Sequence, residues 1–343
     1  MPRYALLLAP SANRVYADQA GRLARAELSA FARVLSTDVQ GIDEQTIGGV
    51  GYLAFESGTA LTERDVAYLS NLSAAYALFE RVDDGLLRPV PLSPLARYDS
   101  DLLTIAKYAG KTNEQFTRLL LNLTLLASAS AGRMLADRLT VCDPLCGRGT
   151  TLNQALMYGY HAIGVEIDGK DVEAYKLFLQ TYLKRKRLKH TADLVPVRRH
   201  GRRVGRRVEV TVAASRADRK AGDVQRLTVV QADTTQLDGL LRGNCADVLV
   251  ADLPYGVAHG SHDAAGGLSR RPVELLERAV PVWVGLLRRG GALGLSWNTR
   301  VAGRARAEEI LRAGGLEPVE YHDLSHRVDQ SIERDVLVAR KPA

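Results

Sequence analysis

Four carboxylates close four short apolar runs: Asp143 ends LTVCD, Glu166 ends HAIGVE, Asp233 ends LTVVQAD and Asp252 ends ADVLVAD. A strand core has no use for an acid, so acids at successive strand ends point to a shared polar ligand rather than to packing. The first acid opens DPLCGRGTT, in which Gly147 and Gly149 permit a tight turn and close approach of a ligand. The helix that follows offers unbonded N–H groups at its start. Alone, this turn is weak evidence, because any strand-to-helix connection can use glycine. Glu166 comes about twenty residues later, where a carboxylate can accept both hydroxyls of a ribose. Asp233 is suited to the exocyclic amine of an adenine. The turn lacks the G-x-G-x-x-G pattern that grips a pyrophosphate, so a NAD-linked oxidoreductase is disfavoured against another adenosine cofactor. The fourth acid begins Asp252-Leu253-Pro254-Tyr255-Gly256, a strand end followed at once by proline, an aromatic ring and glycine.

The elements that must carry these residues alternate regularly from Leu139 onward. Strands LTVCDP, HAIGVEID, LTVVQAD, ADVLVADLP, GALGLSW, EPVEYHDL and RDVLVARK are separated by helices expected at 150–158, 171–187, 273–289 and 304–313. Such alternation predicts an α/β fold with a mostly parallel seven-stranded sheet, covered on both faces, with ligands at the carboxyl ends of the strands. Upstream, strands are expected at 4–9, 50–56 and 87–91 and helices at 16–35 and 62–79, which makes a smaller N-terminal α/β domain. The proline-rich PVPLSP, 89–94, marks a boundary, giving domains 1–98 and 99–343. DLLTIAKYAG, 101–110, reads as a further strand, and 113–129 as a helix with Phe116, Leu119, Leu120, Leu123 and Leu126 on its apolar side.

Between positions 184 and 222 lie 14 of the 46 Lys and Arg residues and 3 of the 39 acids, so the rest of the chain holds 32 bases against 36 acids. Basicity concentrated in one insertion points to a polyanion, RNA or DNA, as partner. Val195, Val197, Val204, Val208, Val210 and Val212 interleave with the arginines as a basic hairpin would arrange them. A solvated insertion without a partner is the plainer alternative. Three cysteines, Cys142, Cys146 and Cys245, fit a reducing compartment and read as small buried hydrophobes. No metal is expected: His259 and His262 have no further cluster and read as a solvated loop. No membrane span or signal peptide is evident in the sequence, and a cytoplasmic location is the expectation.

The glycine turn with Glu166, Asp233 and the DLPYG segment resembles the motifs of class I S-adenosylmethionine-dependent methyltransferases, DLPYG being a version of their D/N-P-P-Y/F motif for exocyclic amino groups. More closely, the chain resembles the THUMP-associated RNA methyltransferases that modify guanine N2 at position 10 of tRNA, with a shortened N-terminal region. That resemblance includes GKTNEQFTRLLLNLTLL, 110–126, and the N-terminal stretch from Tyr4. It implies a Rossmann-like class I domain at 99–343 carrying the basic insertion 184–222, and a degenerate RNA-binding, THUMP-like arm at 1–98. S-adenosyl-L-methionine would be held by Asp143, Pro144, Cys146, Gly147, Gly149, Thr150, Thr151, Glu166, Asp168, Asp233, Thr234 and Asn122. Catalysis would fall to Asp252, Leu253, Pro254 and Tyr255, and nucleic acid contact to Arg118, Arg198, Arg199, Arg202, Arg203, Arg206 and Arg207. The expected partner is tRNA or another structured RNA, with DNA ranked below it and a small activating protein left open. Two rival readings stay in view: a DNA adenine-N6 or cytosine-N4 methyltransferase, and an inactive RNA-binding protein that keeps the fold.

Overall fold

The computed structural model describes residues 1–11, 14–82, 85–108, 110–199, 202–254, 261–262, 268–269 and 272–343. The chain starts with β1 (Arg3–Leu8), α1 (Arg14–Ala17), α2 (Ala20–Ala32), β2 (Val39–Ile47), β3 (Val50–Ser57), α3 (Glu63–Leu69), β4 (Ala75–Arg81) and β5 (Leu87–Val90). These strands form one sheet in the order β2-β3-β1-β4-β5, antiparallel at every pairing. The expected helix 62–79 is therefore wrong in its second half. Thr62 and Asp65 close a reciprocal capping box that starts α3. The helix ends at Leu69 in a tighter turn, and beyond it the Ser73 N–H and hydroxyl are both taken by the Glu27 carboxylate, at 2.9 and 2.6 Å, before the chain enters β4.

The expected strand at 101–110 is corrected as well. Its start is the single helical turn α4 (Asp101–Thr104), where Leu102 alone is buried and its carbonyl accepts from the Asn153 amide at 3.3 Å. The segment then runs irregularly to α5 (Glu114–Ala127), which Asn113 caps by accepting the Phe116 N–H at 3.0 Å.

Next come β6 (Thr140–Asp143), α6 (Thr150–Met157), β7 (His161–Glu166), α7 (Gly169–Arg185), β8 (Lys189–Arg199), β9 (Arg202–Ala213), α8 (Arg216–Ala221), β10 (Gln225–Gln231) and β11 (Ala246–Asp252). After the two-residue strands β12 (Ser261–His262) and β13 (Leu268–Ser269) follow α9 (Pro272–Leu286), β14 (Leu287–Asn298), α10 (Arg304–Ala313), β15 (Glu317–Val319), β16 (His326–Arg327) and β17 (Glu333–Arg340). The seven strands legible in the sequence lie in the order β10-β7-β6-β11-β14-β17-β15. The order reverses at β6, whose neighbours are β7 on one side and β11 on the other, so the carboxyl ends of β6 and β11 flank the crevice where such sheets take ligands.

The sheet is larger and more mixed than seven mostly parallel strands. It has ten, because the basic insertion is a hairpin, β8 with β9, that joins the edge through β9 on β10, and β16 adds to β17. Four of its pairings are parallel and five antiparallel. Val197, Val208, Val210 and Val212 are buried, which explains why the insertion folds rather than staying solvated.

The apolar cluster under α5, α6 and α7 is continuous with the core of the N-terminal sheet, while α9 and α10 cover the other face. A polar knot sits where the first unit meets α5. Glu27 is fully buried and accepts hydrogen bonds from Ser73 and from the Asn122 amide, the latter at 2.6 Å. Burial pushes its carboxyl up, and the bonds from Asn122 and Ser73 pull it back. Glu27→Ala leaves those buried donors without their acceptor, so urea denaturation should show a loss of about 2–4 kcal/mol. A loss below about 0.5 kcal/mol would mean that the knot contributes little.

Candidate active site

The turn after β6 is bound to its neighbour strand, since the Cys146 N–H donates to the Val165 carbonyl at 2.9 Å. Gly149 sits at φ 80°, and a Cβ there would collide with the Tyr175 ring. Gly147, at φ 47°, has open space where a Cβ would stand. The turn is thus packed on its inner side and open on its outer side, the shape a cradle for a ligand requires. Pro144 and Cys146 are buried in its base, and Thr150 begins α6 with its hydroxyl 3.0 Å from the Tyr108 hydroxyl. Tyr108, beneath the Arg148 guanidinium at 5.1 Å, lies over the turn, and no motif in the sequence around it announces that place.

Asp143 is buried at the end of β6 and accepts from the Leu145 N–H at 3.0 Å and from Thr151. Its carboxyl is pushed up to about 7, first by burial; the bonds from Leu145 and Thr151 act the other way, and the charges of Asp252 and Glu166 push further up. Glu166 spans the mouth of the turn: its Oε2 accepts the Gly147 N–H at 2.9 Å and its Oε1 the Asp168 N–H at 2.8 Å. Burial raises its carboxyl too, against those two backbone bonds.

The other residues expected around a cofactor divide. Asp233, just past β10, is half-buried and accepts from the Thr235 N–H and hydroxyl, both at 2.8 Å. Thr234 turns inward instead, where its hydroxyl accepts the Trp283 indole N–H at 2.8 Å, so its side chain serves the core. Asp168 caps α7 by accepting the Lys170 N–H at 2.8 Å. Asn122 departs furthest: besides Glu27, its amide donates to the Asn71 carbonyl at 2.7 Å and its oxygen accepts from Tyr158 at 2.7 Å. Its polar atoms are committed to the knot beneath the N-terminal unit, not to the strand ends. Arg118 is committed likewise, donating to the Tyr158 hydroxyl at 3.0 Å and to the Ser70 carbonyl.

Asp252 is where the site is most tightly built. Parallel pairing of β11 with β14 sets Asp252 beside Ser296, whose hydroxyl donates to Oδ1. Thr112, in the segment leading into α5, donates to Oδ2 at 2.6 Å. The Arg334 guanidinium reaches within 3.8 Å of the same oxygen from β17. The next residue, Leu253, is buried and its N–H is held by the Ser296 carbonyl at 2.9 Å, which fixes the direction in which the chain leaves the strand towards the half-buried Pro254. Tyr255, Gly256 and His259 lie outside the described residues, as does the side chain of His262.

Among the basic residues, Arg206 is bound inward, donating to Gln231 at 2.9 Å and to the Gly169 carbonyl, with Glu173 at 3.4 Å. Arg207 pairs with Glu209 at 2.6 Å. Both arginines thus have polar partners around their own hairpin and remain partly exposed. The backbone puts Arg198 opposite Arg203 and Arg199 opposite Arg202 at the far end of the hairpin, and their side chains lie outside the description. Cys142 and Cys146 are buried as expected, whereas Cys245 is only partly so. Among the described residues no group of three or more His, Cys, Asp or Glu is placed to hold a metal ion, and no helix is long and apolar enough to cross a membrane.

Residues 122–287 match the model of the RMKL-like methyltransferase domain, UPF0020. That stretch is accordingly a methyltransferase domain, with S-adenosylmethionine as its methyl donor. No curated protein matches the chain. Among solved structures, TrmN from Thermus thermophilus is 13% identical and aligns over 99% of this chain and 100% of its own, with a TM-score of 0.44. Magnesium protoporphyrin IX methyltransferase (ChlM) from Synechocystis PCC 6803, solved with bound SAM, is 16% identical over 68% of this chain and 86% of its own, with a TM-score of 0.40. Ribosomal protein L11 methylase from Lactobacillus delbrueckii subsp. bulgaricus is 14% identical over 66% and 80%, with a TM-score of 0.36.

The raised carboxyl of Asp143 has a thermodynamic consequence. Below about pH 4 the group is protonated in both folded and unfolded chains and costs nothing. Between there and its folded value of about 7 only the unfolded chain ionises, so stability falls by up to about 1.4 kcal/mol per pH unit. Asp143→Asn removes that penalty, so its stability relative to the natural chain should rise from pH 4.5 to pH 8 in urea titrations. A gap that stays constant with pH would contradict the assignment.

Proposed function

We propose that the protein transfers the methyl group of S-adenosylmethionine to an exocyclic amino group of a nucleobase, guanine N2 in tRNA being the favoured acceptor. The observation that carries the reading is the anchored Asp252 carboxylate at the end of β11, one strand from the glycine turn and directly before Leu253-Pro254-Tyr255-Gly256. The preference for RNA is supported by the likeness of 110–126 to the guanine-N2 enzymes and by the arginines that the hairpin carries to its far end.

The open outer side of the turn at Gly147 and the carboxylate of Glu166 beside it fit the methyl donor, and Asp143, Thr151 and Asp233 complete the polar rim that would hold it. S-adenosylmethionine supplies an electrophilic methyl group. The protein's task concerns the acceptor, because an exocyclic amine is a poor nucleophile while its lone pair is delocalised into the ring. Asp252 and a main-chain carbonyl of Leu253-Pro254 accept the two amine N–H bonds and hold the nitrogen pyramidal. The carboxylate then stabilises the positive charge that develops on nitrogen. Pro254 contributes no N–H that would compete there. Tyr255 stacks on a base taken out of its own stack, replacing about 1–3 kcal/mol of lost stacking.

Asp252→Ala should reduce methyl transfer to tRNA roughly 1000-fold while calorimetry finds the affinity for S-adenosylmethionine unchanged. Turnover equal to that of the natural chain would remove Asp252 from the mechanism.

A further inference from the structure

Arg334 lies on a strand whose residues 334–339 are all buried, and its own side chain is 5% exposed. A guanidinium stays protonated at any accessible pH, so sequestering one is unfavourable unless an anion and a polarisable surface compensate it. The structure supplies both. The guanidinium carbon lies 4.1 Å from the centre of the Phe116 ring, in the first turn of α5, and Nη2 points to Asp252 Oδ2 at 3.8 Å. β17 brings it there through two antiparallel pairings that set Arg334 opposite Asn298 of β14 and opposite His326 of β16.

We propose that Arg334 is a positioning residue that holds the Asp252 carboxylate in the orientation in which it receives the acceptor amine, acting through that carboxylate and not on the substrate; this rests on the function proposed above. Thr112 and Arg334 approach one carboxylate oxygen and Ser296 the other, so rotation about the Cβ–Cγ bond is opposed from both sides. Arg334 also brings positive charge to a site where the Asp252 carboxylate pushes the Asp143 carboxyl up at the adjacent strand end. Of the titratable groups near this pair, Tyr16 is pushed well up by burial and stays neutral, and His326 is held down to about 4 by burial and is neutral at physiological pH. Neither can therefore replace the arginine as counter-charge. The Phe116 ring, tilted between His326 at 5.0 Å and the guanidinium, keeps the latter aligned.

The test combines a measurement without substrate and one with it. Urea unfolding is compared for Arg334→Met, Asp252→Ala and the double variant, and steady-state methyl transfer to tRNA for Arg334→Met, Arg334→Lys and Phe116→Leu. If Arg334 holds Asp252, the two substitutions are non-additive in unfolding. Arg334→Met then lowers kcat roughly tenfold or more, with the KM for S-adenosylmethionine changed less than about threefold. Arg334→Lys recovers part of kcat, because it returns the charge but not the planar stack on Phe116. Phe116→Leu, which keeps the guanidinium and removes its platform, loses kcat in the same direction and serves if Arg334→Met fails to fold. Additive unfolding together with unchanged kcat in Arg334→Met overturns the proposal. If the natural chain methylates no nucleobase while the unfolding cycle still shows coupling, the proposed function falls and the hold on Asp252 stands.

Discussion

A carboxylate at the end of a strand can rotate, and the chemistry open to this protein depends on stopping that rotation. Asp252 is gripped from three directions that the fold alone brings together: Ser296 from the parallel neighbour β14, Arg334 from the antiparallel β17, and Thr112 from the segment entering α5. The antiparallel β17, set between β14 and β15, thus does more than widen the sheet. A parallel strand there would need a crossover helix and would present its other end to this side of the sheet. The large apolar surface of α9, α10 and the β11–β14 face serves this end too, since it fixes the register by which Asp252 and Ser296 meet.

The second anchoring point lies away from the strand ends. Because the N-terminal core is continuous with the cluster under α5, and Glu27 and Asn122 bond across the junction, α5 is fixed from both sides. The first turn of that helix carries Phe116 and the segment just before it carries Thr112, so the N-terminal unit bears indirectly on the geometry at Asp252. The same unit also reaches the C-terminal segment, where Arg33 donates to the Glu320 carbonyl at 3.1 Å.

The parts of this architecture that follow a local pattern were legible in the sequence. Apolar runs terminated by Asp143, Glu166 and Asp252 mark strands that end in acids, and glycines at 147 and 149 mark the turn. Interleaved valines disclosed a hairpin, though not that β9 would extend the sheet at β10. What escaped depends on distant partners. The expected helix to Phe79 gives way to strand from Ala75, where β1 and β5 pair with the chain, after Glu27, far away in sequence, has taken the Ser73 N–H. β2 is mostly exposed, so it lacks an apolar stripe to announce it. Asn122 and Arg118 sit in a helix that belongs near the site, yet burial commits their polar atoms to Tyr158, Glu27 and the chain near Asn71. Arg334 left no such trace: it stands among the charged residues Glu333, Asp335 and Arg340 of its own strand, and only the long-range packing buries it.

If the anchored carboxylate exists to receive an exocyclic amine, the acceptor atom is the decisive observable. Bulk tRNA incubated with the protein and S-adenosylmethionine carrying an isotopically labelled methyl group, then digested to nucleosides and analysed by mass spectrometry, identifies that atom directly. The account predicts label on the exocyclic nitrogen of a base, as N2-methylguanosine. Label confined to ribose or to a ring carbon, or none above a protein-free control, would contradict it.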